Sequence, residues 1–298
     1  MTATPADAIA VDIGGTSLRV ARAGGAGRLV GDPVRRGVGR TTTRAEVVEI
    51  VVDACRELDV PTPDRVVVAI PSFVLGDQTM AECPSIPALT GSDLGRLLSD
   101  ATGAGRVHIV PDIACAALAE QRLGTGVGSS RFMCVVLGTG ANAGAVVDGR
   151  PVATAFGCLG DAGHVLVDPD GPACPCGGRG CLESITSGWA LARDGAALGL
   201  ASAAEVARAA RAGDAQATQL LTRAGTMLGR ACATWSAMIW PDTIAVAGGL
   251  AGAGDLLLAP ARAEMLRVGA PYIVGEIRLI TAALGDEATL VGAGLLTT

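Results

Sequence analysis

The sequence of 298 residues is poor in aromatics, with three Phe, one Tyr and three Trp, so its core must be packed from small side chains. Ala is abundant and there are 42 Gly, which predicts close packing and many glycine turns. Charged residues are few, at 17%, and the formal net charge is -6. No Lys/Arg cluster offsets that acidity, which argues against a nucleic-acid surface. No run of 18 or more uncharged apolar residues stands out, so no membrane span is expected. Met1–Asp7 shows no basic stretch followed by an apolar run, so it does not read as a signal peptide, and a cytoplasmic protein is expected. The nine cysteines are odd in number and mostly scattered, which predicts buried thiols and not disulfides.

Half the residues are hydrophobic, enough for two α/β domains of ordinary size. Ala8 to Arg22 reads as strand, glycine turn, strand. A helix is predicted over Thr43–Leu58, a strand over Arg65–Ile70, a helix over Ser92–Thr102 opened by Ser92, and a strand over Val107–Val110. A helix from about Ala114 to Arg122 follows Pro111-Asp112. The pattern then restarts, with a strand over Phe132–Leu137, the turn Gly138-Thr-Gly140 and a strand over Ala143–Val147. This repetition suggests an internal duplication. After a loop-rich stretch from Gly157 to Gly188, helices fill about Ala203–Ile239. Strands over Thr243–Val246 and Ile277–Ala282 and a helix over Ala288–Leu296 complete the chain. The alternation means an α/β protein. The expected domains are 1–112, completed by the C-terminal helix 286–298, and 113–285, which carries the cysteine-rich loop.

Three glycine turns follow strands: Asp12-Ile-Gly-Gly-Thr16, Gly138-Thr139-Gly140 and Gly248-Gly249. Glycine lets backbone approach a phosphate closely, and backbone N–H groups with the Thr16 hydroxyl suit phosphate oxygens. Asp12, at a strand end, could hold a metal-bound water. Walker A spacing is absent, and so is the Gly-x-Gly-x-x-Gly dinucleotide pattern. One such turn is equally a plain hairpin; three at strand ends predict a nucleotide held in a cleft. The strongest chemical signal is His164, Cys174, Cys176 and Cys181. Four borderline or soft ligands lie close together among Gly and Pro, in a segment that can be neither regular helix nor strand. They suit a closed, tetrahedral, structural zinc site with no position left for a catalytic water.

Taken together, Ala10-Val-Asp-Ile-Gly-Gly-Thr16, Val136-Leu-Gly-Thr-Gly140, Gly163-His164, Cys174-Pro-Cys-Gly-Gly-Arg-Gly-Cys-Leu-Glu183 and Leu284-Gly-Asp-Glu-Ala-Thr-Leu-Val-Gly-Ala293 resemble the ROK family of sugar kinases, over nearly the whole chain. The resemblance implies an α/β fold of two actin-like ATPase (ribonuclease H-like) domains flanking a cleft. It implies Mg²⁺-ATP as phosphoryl donor, the 6-hydroxyl of a hexose as acceptor, Zn²⁺ and a homodimer. Asp112 matches the catalytic aspartate, which accepts the proton of the attacking hydroxyl; its alternative is a helix cap. Gly14, Gly15, Thr16, Gly138 and Thr139 match phosphate contacts, and Gly248 and Gly249 lie by the adenosine. Ser85, Asp161, His164 and Glu183 match sugar contacts, with His164 binding zinc through its other nitrogen. For Glu183 the alternative is a solvated carboxylate at a helix start.

The departures from the family pattern are confined. Pro111-Asp-Ile-Ala114 stands for the usual Asn-Asp-x-Asn, Asp161-Ala-Gly-His164 for Glu-x-Gly-His, and Pro84-Ser85 for Pro-Asn. Pro111 has no N–H to donate. These positions face the middle hydroxyls in the family, so the machinery reads as intact and the sugar selection as altered. Lost amide donors and retained carboxylates point to an ammonium group near C3, as in kanosamine (3-amino-3-deoxyglucose), an amino sugar of antibiotic biosynthesis. An ordinary glucokinase or N-acetylhexosamine kinase and a non-catalytic sugar-binding relative are the alternatives. The family's transcriptional repressors carry an N-terminal helix-turn-helix, whereas here only a few residues precede the phosphate hairpin.

Overall fold

A computed structural model of the chain describes residues 7–75, 78–154 and 157–297. Of the stretch Met1–Asp7, which does not read as a signal peptide, residues 1–6 lie outside the described residues. The first elements are β1 (Ala8–Ile13), β2 (Ser17–Ala23), β3 (Leu29–Gly37), α1 (Arg44–Glu57), β4 (Arg65–Ile70), the short pair β5 (Phe73–Val74) and β6 (Met80–Glu82), α2 (Leu94–Thr102), β7 (Arg106–Pro111) and α3 (Asp112–Leu123). There follow β8 (Arg131–Leu137), β9 (Ala141–Val147), β10 (Arg150–Pro151), β11 (Ala153–Thr154), β12 (Gly157–Cys158), α4 (Glu183–Thr186), α5 (Gly188–Gly195), α6 (Ala203–Arg211) and α7 (Ala215–Ile239). The chain ends with β13 (Thr243–Ala247), α8 (Asp255–Val268), α9 (Pro271–Val274), β14 (Arg278–Thr281) and α10 (Ala288–Leu295).

Two five-stranded sheets are built to one plan. The first has the order β3-β2-β1-β4-β7 and the second β10-β9-β8-β13-β14. In each, a glycine turn joins two antiparallel strands, β1 to β2 and β8 to β9, and two further strands lie parallel to the first of that pair. The suggested duplication therefore exists as strand order. Every residue of β1 and of β13 is buried, as expected for strands covered on both faces. The chain divides into two compact units. One is Met1–Ala119, Pro151–Gly160 and Asp286–Thr298, and the other is Glu120–Arg150 and Asp161–Gly285. In the first unit α10 packs on β1, β2 and β4. Gly292 on that helix lies against α3 so closely that a Cβ would sit 1.9 Å from the Cys115 carbonyl oxygen.

Several local expectations change. The apolar pattern does not mark β3, which carries Pro33 and exposed charges; it is an edge strand, where a missing N–H is tolerated. α2 is capped by Asp93, whose carboxylate accepts the Arg96 N–H at 2.9 Å, and not by Ser92, whose hydroxyl donates to Leu89. α3 starts at Asp112 itself, two residues before the predicted start. The helices expected over 203–239 are present as α6 and α7, parted at Gly213 (φ +93) with α7 opened by the Asp214 cap. Pro260 conceals α8 in the sequence. Among the described residues no helix is long and apolar enough to cross a membrane.

Candidate active site and metal centre

In the first unit the turn after β1 is closed by its own backbone, with the Gly14 N–H donating to the Ser17 carbonyl at 2.8 Å. Gly15 and Thr16 are exposed beyond it, and the Ser85 side chain lies beside Gly15. Asp12 is buried at 7% exposure and paired with Arg19. Burial holds its carboxyl above the usual carboxylate range, with the Arg19 guanidinium pulling against that rise. Asp112, at the start of α3, keeps part of its surface open and accepts the Ile113 N–H at 2.7 Å. Desolvation first, and the charge of Asp12 second, push it up to about 6. Thus Asp12, Asp112, Ser85 and the first glycine turn share one end of one sheet, at the carboxyl ends of the parallel strands β1 and β7. That is where open α/β sheets hold ligands. Pro111 closes β7, another edge strand, so its missing N–H leaves the ladder whole.

In the second unit the remaining candidates converge on one peptide. The turn after β8 closes as the first does, with the Gly138 N–H donating to Gly140 at 2.9 Å, and Thr139 is exposed at its tip. The Gly138 carbonyl accepts the N–H of Gly188, the first residue of α5, at 2.8 Å. Gly248 (φ +85) lies against the same turn, where a Cβ would meet the Leu137 carbonyl oxygen at 2.4 Å. The second and third glycine turns are therefore one feature. Glu183 accepts the Ala141 N–H on Oε2 at 2.9 Å, and its Oε1 accepts from no described residue. On the other side of Ala141, the Gly163 Cα abuts the Ala141 carbonyl, leaving 1.7 Å for a Cβ. Only glycine fits there, and it carries His164 to the site.

His164 Nδ1 and the sulfurs of Cys174, Cys176 and Cys181 all lie within 4.8 Å of one another. Cys174 Sγ is 3.5 Å from His164 Nδ1, and Cys176 Sγ is 3.7 Å from Cys181 Sγ. A tetrahedral zinc with Zn–S of about 2.3 Å and Zn–N of about 2.0–2.1 Å needs N···S edges of about 3.5 Å and S···S edges of about 3.8 Å. The donor set therefore fits zinc in ligand type and number, and these two edges have the length a tetrahedral site needs. The loop supports it through Gly177 (φ +92) and Gly180 (φ +66), the isolated bridges Leu166–Cys181 and Ala173–Arg179, and a Gly178 N–H directed at Cys176 Sγ at 3.4 Å. His164 Nε2 lies 3.4 Å from Asp161 Oδ2, so Asp161 orients the imidazole from its other nitrogen. Among the described residues the other six cysteines are buried and form no disulfide.

Two residues with a bearing on the site escape a sequence reading. Arg19 is a charged residue in a strand that also carries Arg22, and nothing in the pattern marks it as buried. Glu120, inside α3, reads as part of a solvated helix face; it is fully buried. Its carboxylate accepts the N–H groups of Thr125 (3.0 Å), Ala283 (3.1 Å) and Leu284 (2.6 Å), which fixes the strand end that precedes Gly285. Truncation by Glu120→Ala strands these donors. It should cost about 3 kcal/mol, since a hydrogen bond to a charged group is worth about 1.5–3 kcal/mol and part of the loss is recovered by water. Urea unfolding should show a lower midpoint; an unchanged midpoint would show that the three bonds add nothing net.

Two units with this shared strand order and paired glycine turns define the fold of the actin-like ATPases. The chain belongs to the ROK family, whose family model matches residues 8–298. It is similar to a glucokinase of Thermotoga maritima, 28% identical over 96% of this chain and 95% of that one. It is also similar to an N-acetylmannosamine kinase of Citrobacter koseri, 32% identical over 97% of each chain. Among solved structures, a ROK family glucokinase from Streptomyces griseus in complex with glucose and AMPPNP superposes with a TM-score of 0.81, at 27% identity over 97% of this chain and 98% of that one.

Proposed function

We propose that this protein is an ATP-dependent sugar kinase that phosphorylates the 6-hydroxyl of a glucose-like hexose, with Asp112 as the proton acceptor. The observation that carries the reading is the pairing of Asp112 with the Asp12–Thr16 turn at one sheet end. A base raised to about 6 is ionised at neutral pH yet close enough in pKa to take a proton in the transition state. Magnesium, when bound with the nucleotide, supplies charge neutralisation at the phosphates. Within the chain, Gly14 and Gly138 spend their N–H groups in closing the turns. That leaves Gly15, Thr16 and Thr139 to meet phosphate oxygens, and Gly248 and Gly249 to meet the adenosine. His164, Cys174, Cys176 and Cys181 hold zinc in a structural role, which sets the imidazole and Asp161 in place.

The sugar contacts are Ser85, Asp161, His164 and Glu183. Asp161 and the open Oε1 of Glu183 supply negative charge, and Pro111 supplies no donor. That balance favours a cationic substituent near C3, and kanosamine is the candidate acceptor. The similarity to glucokinases and N-acetylmannosamine kinases supports the kinase reading and leaves the choice of sugar to the altered residues. Measured kcat/KM for kanosamine should exceed that for glucose and for N-acetylmannosamine by about tenfold or more, the discrimination a paired polar group provides. A clear preference for plain glucose overturns the amino-sugar assignment and leaves the kinase. Absence of ADP release with every sugar overturns the kinase itself.

A further inference from the structure

Arg19 carries an arrangement that a simple structural ion pair does not need. It is 7% exposed, and both of its donating nitrogens fall on the same oxygen of Asp12: Nε reaches Oδ2 at 2.9 Å, and Nη2 also donates to Oδ2. Arginine–carboxylate pairs commonly align fork to fork, one nitrogen to each oxygen. Here Oδ1 accepts from no described residue, although the carboxylate is buried. Arg19 is itself held from a second direction. Nη2 donates to the Asp286 carbonyl at 2.8 Å, and Nη1 lies 3.7 Å from Glu287 Oε1. The guanidinium is thus locked between the phosphate turn and the segment that enters α10, both parts of one unit. The sequence contains no lysine, so every fixed side-chain cation in the molecule is a planar guanidinium or an imidazole.

We infer that Arg19 is a positioning residue: it grips one oxygen of Asp12 and so presents the other, Oδ1, to the hydrated divalent cation that accompanies the nucleotide. The inference rests on the nucleotide-binding reading given above. The grip keeps a buried carboxylate ionised by compensating its charge without capping the oxygen that must work. Two fork nitrogens converging on Oδ2 hold that oxygen from a fixed direction, which a single rotatable ammonium cannot do. The anchor at Asp286 and Glu287 keeps the guanidinium from following the carboxylate if it rotates. The contact is therefore expected to tune cation affinity and the phosphoryl-transfer step while leaving sugar binding alone.

The test uses Arg19→Lys, which keeps the buried charge and loses the fork, beside Arg19→Gln, with Arg35→Gln as an exposed control that touches Glu287 from outside. Mn²⁺ binding is read by electron paramagnetic resonance in the presence of AMPPNP, and kcat and sugar KM by steady-state kinetics. Arg19→Lys should weaken Mn²⁺ binding and lower kcat by about tenfold each, within the range seen when a partner that orients a ligand is removed. The sugar KM and the behaviour of Arg35→Gln should stay within twofold of the parent. A folded Arg19→Lys protein with Mn²⁺ affinity and kcat within twofold of the parent overturns the role of Arg19. Where Arg19→Gln does not fold, Arg19→Lys alone decides. A parent chain that binds no Mn²⁺ with AMPPNP overturns the nucleotide-binding reading and the role of Arg19 with it.

Discussion

Replacing Asp112 with asparagine should lower kcat for sugar phosphorylation by about a thousandfold, within the range that general-base catalysis supplies, and should leave the fold intact. Asparagine preserves the shape and the contact with the Ile113 N–H and loses the capacity to take a proton. The parent enzyme should also show an acidic limb in kcat/KM. Because burial and the charge of Asp12 push Asp112 up to about 6, the ionised, competent form is lost as pH falls through that value. Below it the rate should drop about tenfold per pH unit. Stability runs the other way. A carboxyl whose folded pKa lies above its unfolded value of 3.8 contributes stability that is present in full below 3.8 and is lost as pH rises through about 6. At pH 7 the neutral asparagine is therefore expected to melt no lower than the parent. Loss of activity with an unchanged or higher melting temperature identifies a functional charge; retained activity removes Asp112 as the base.

The second large effect belongs to the metal centre. The purified chain should carry about one zinc, and Cys181→Ser should lose it. Zinc binding is worth about 10–16 kcal/mol in isolated zinc-finger peptides, where it accounts for folding outright. Here the loop has backbone bridges of its own, so the damage should be local. The path is short: His164 follows Gly163, Gly163 abuts the Ala141 carbonyl, and Glu183, two residues past Cys181, holds the Ala141 N–H. Misplacement of these groups by about 1 Å is enough to cost about a hundredfold in kcat/KM for the sugar. Limited proteolysis should find new cleavage between Val165 and Cys181. A zinc-free Cys181→Ser protein with the parent's kcat/KM and cleavage pattern would separate the cluster from the sugar site altogether.

Much of this was legible in the residues themselves. The ligand spacing from His164 to Cys181 led to a cluster that the structure draws together, and the glycine turns after β1 and β8 are where the apolar runs put them. What could not be read depends on partners far along the chain. Arg19 looks like an exposed strand residue until Asp286 arrives from 267 positions away to share it. Glu120 looks solvated until Ala283 and Leu284, more than 160 positions on, bring their N–H groups to its carboxylate. β3 is invisible because an edge strand need not be apolar. The helix break at Gly213 needed a positive φ that composition does not reveal. The union of the second and third glycine turns was equally hidden, because β8 and β13 are neighbours only through a parallel crossover.

The two sheets share a plan but not their chemistry. Where β1 places Asp12 opposite Ala69, β8 places Val136 opposite Ala247; where Asp112 follows β7, Ala282 follows β14. The first unit sets Asp12 and Asp112 at one end of its sheet, and the second carries the loop of His164, Cys174, Cys176 and Cys181. The same strand order thus holds carboxylates at a sheet end in one unit and a cluster of soft ligands in a loop in the other.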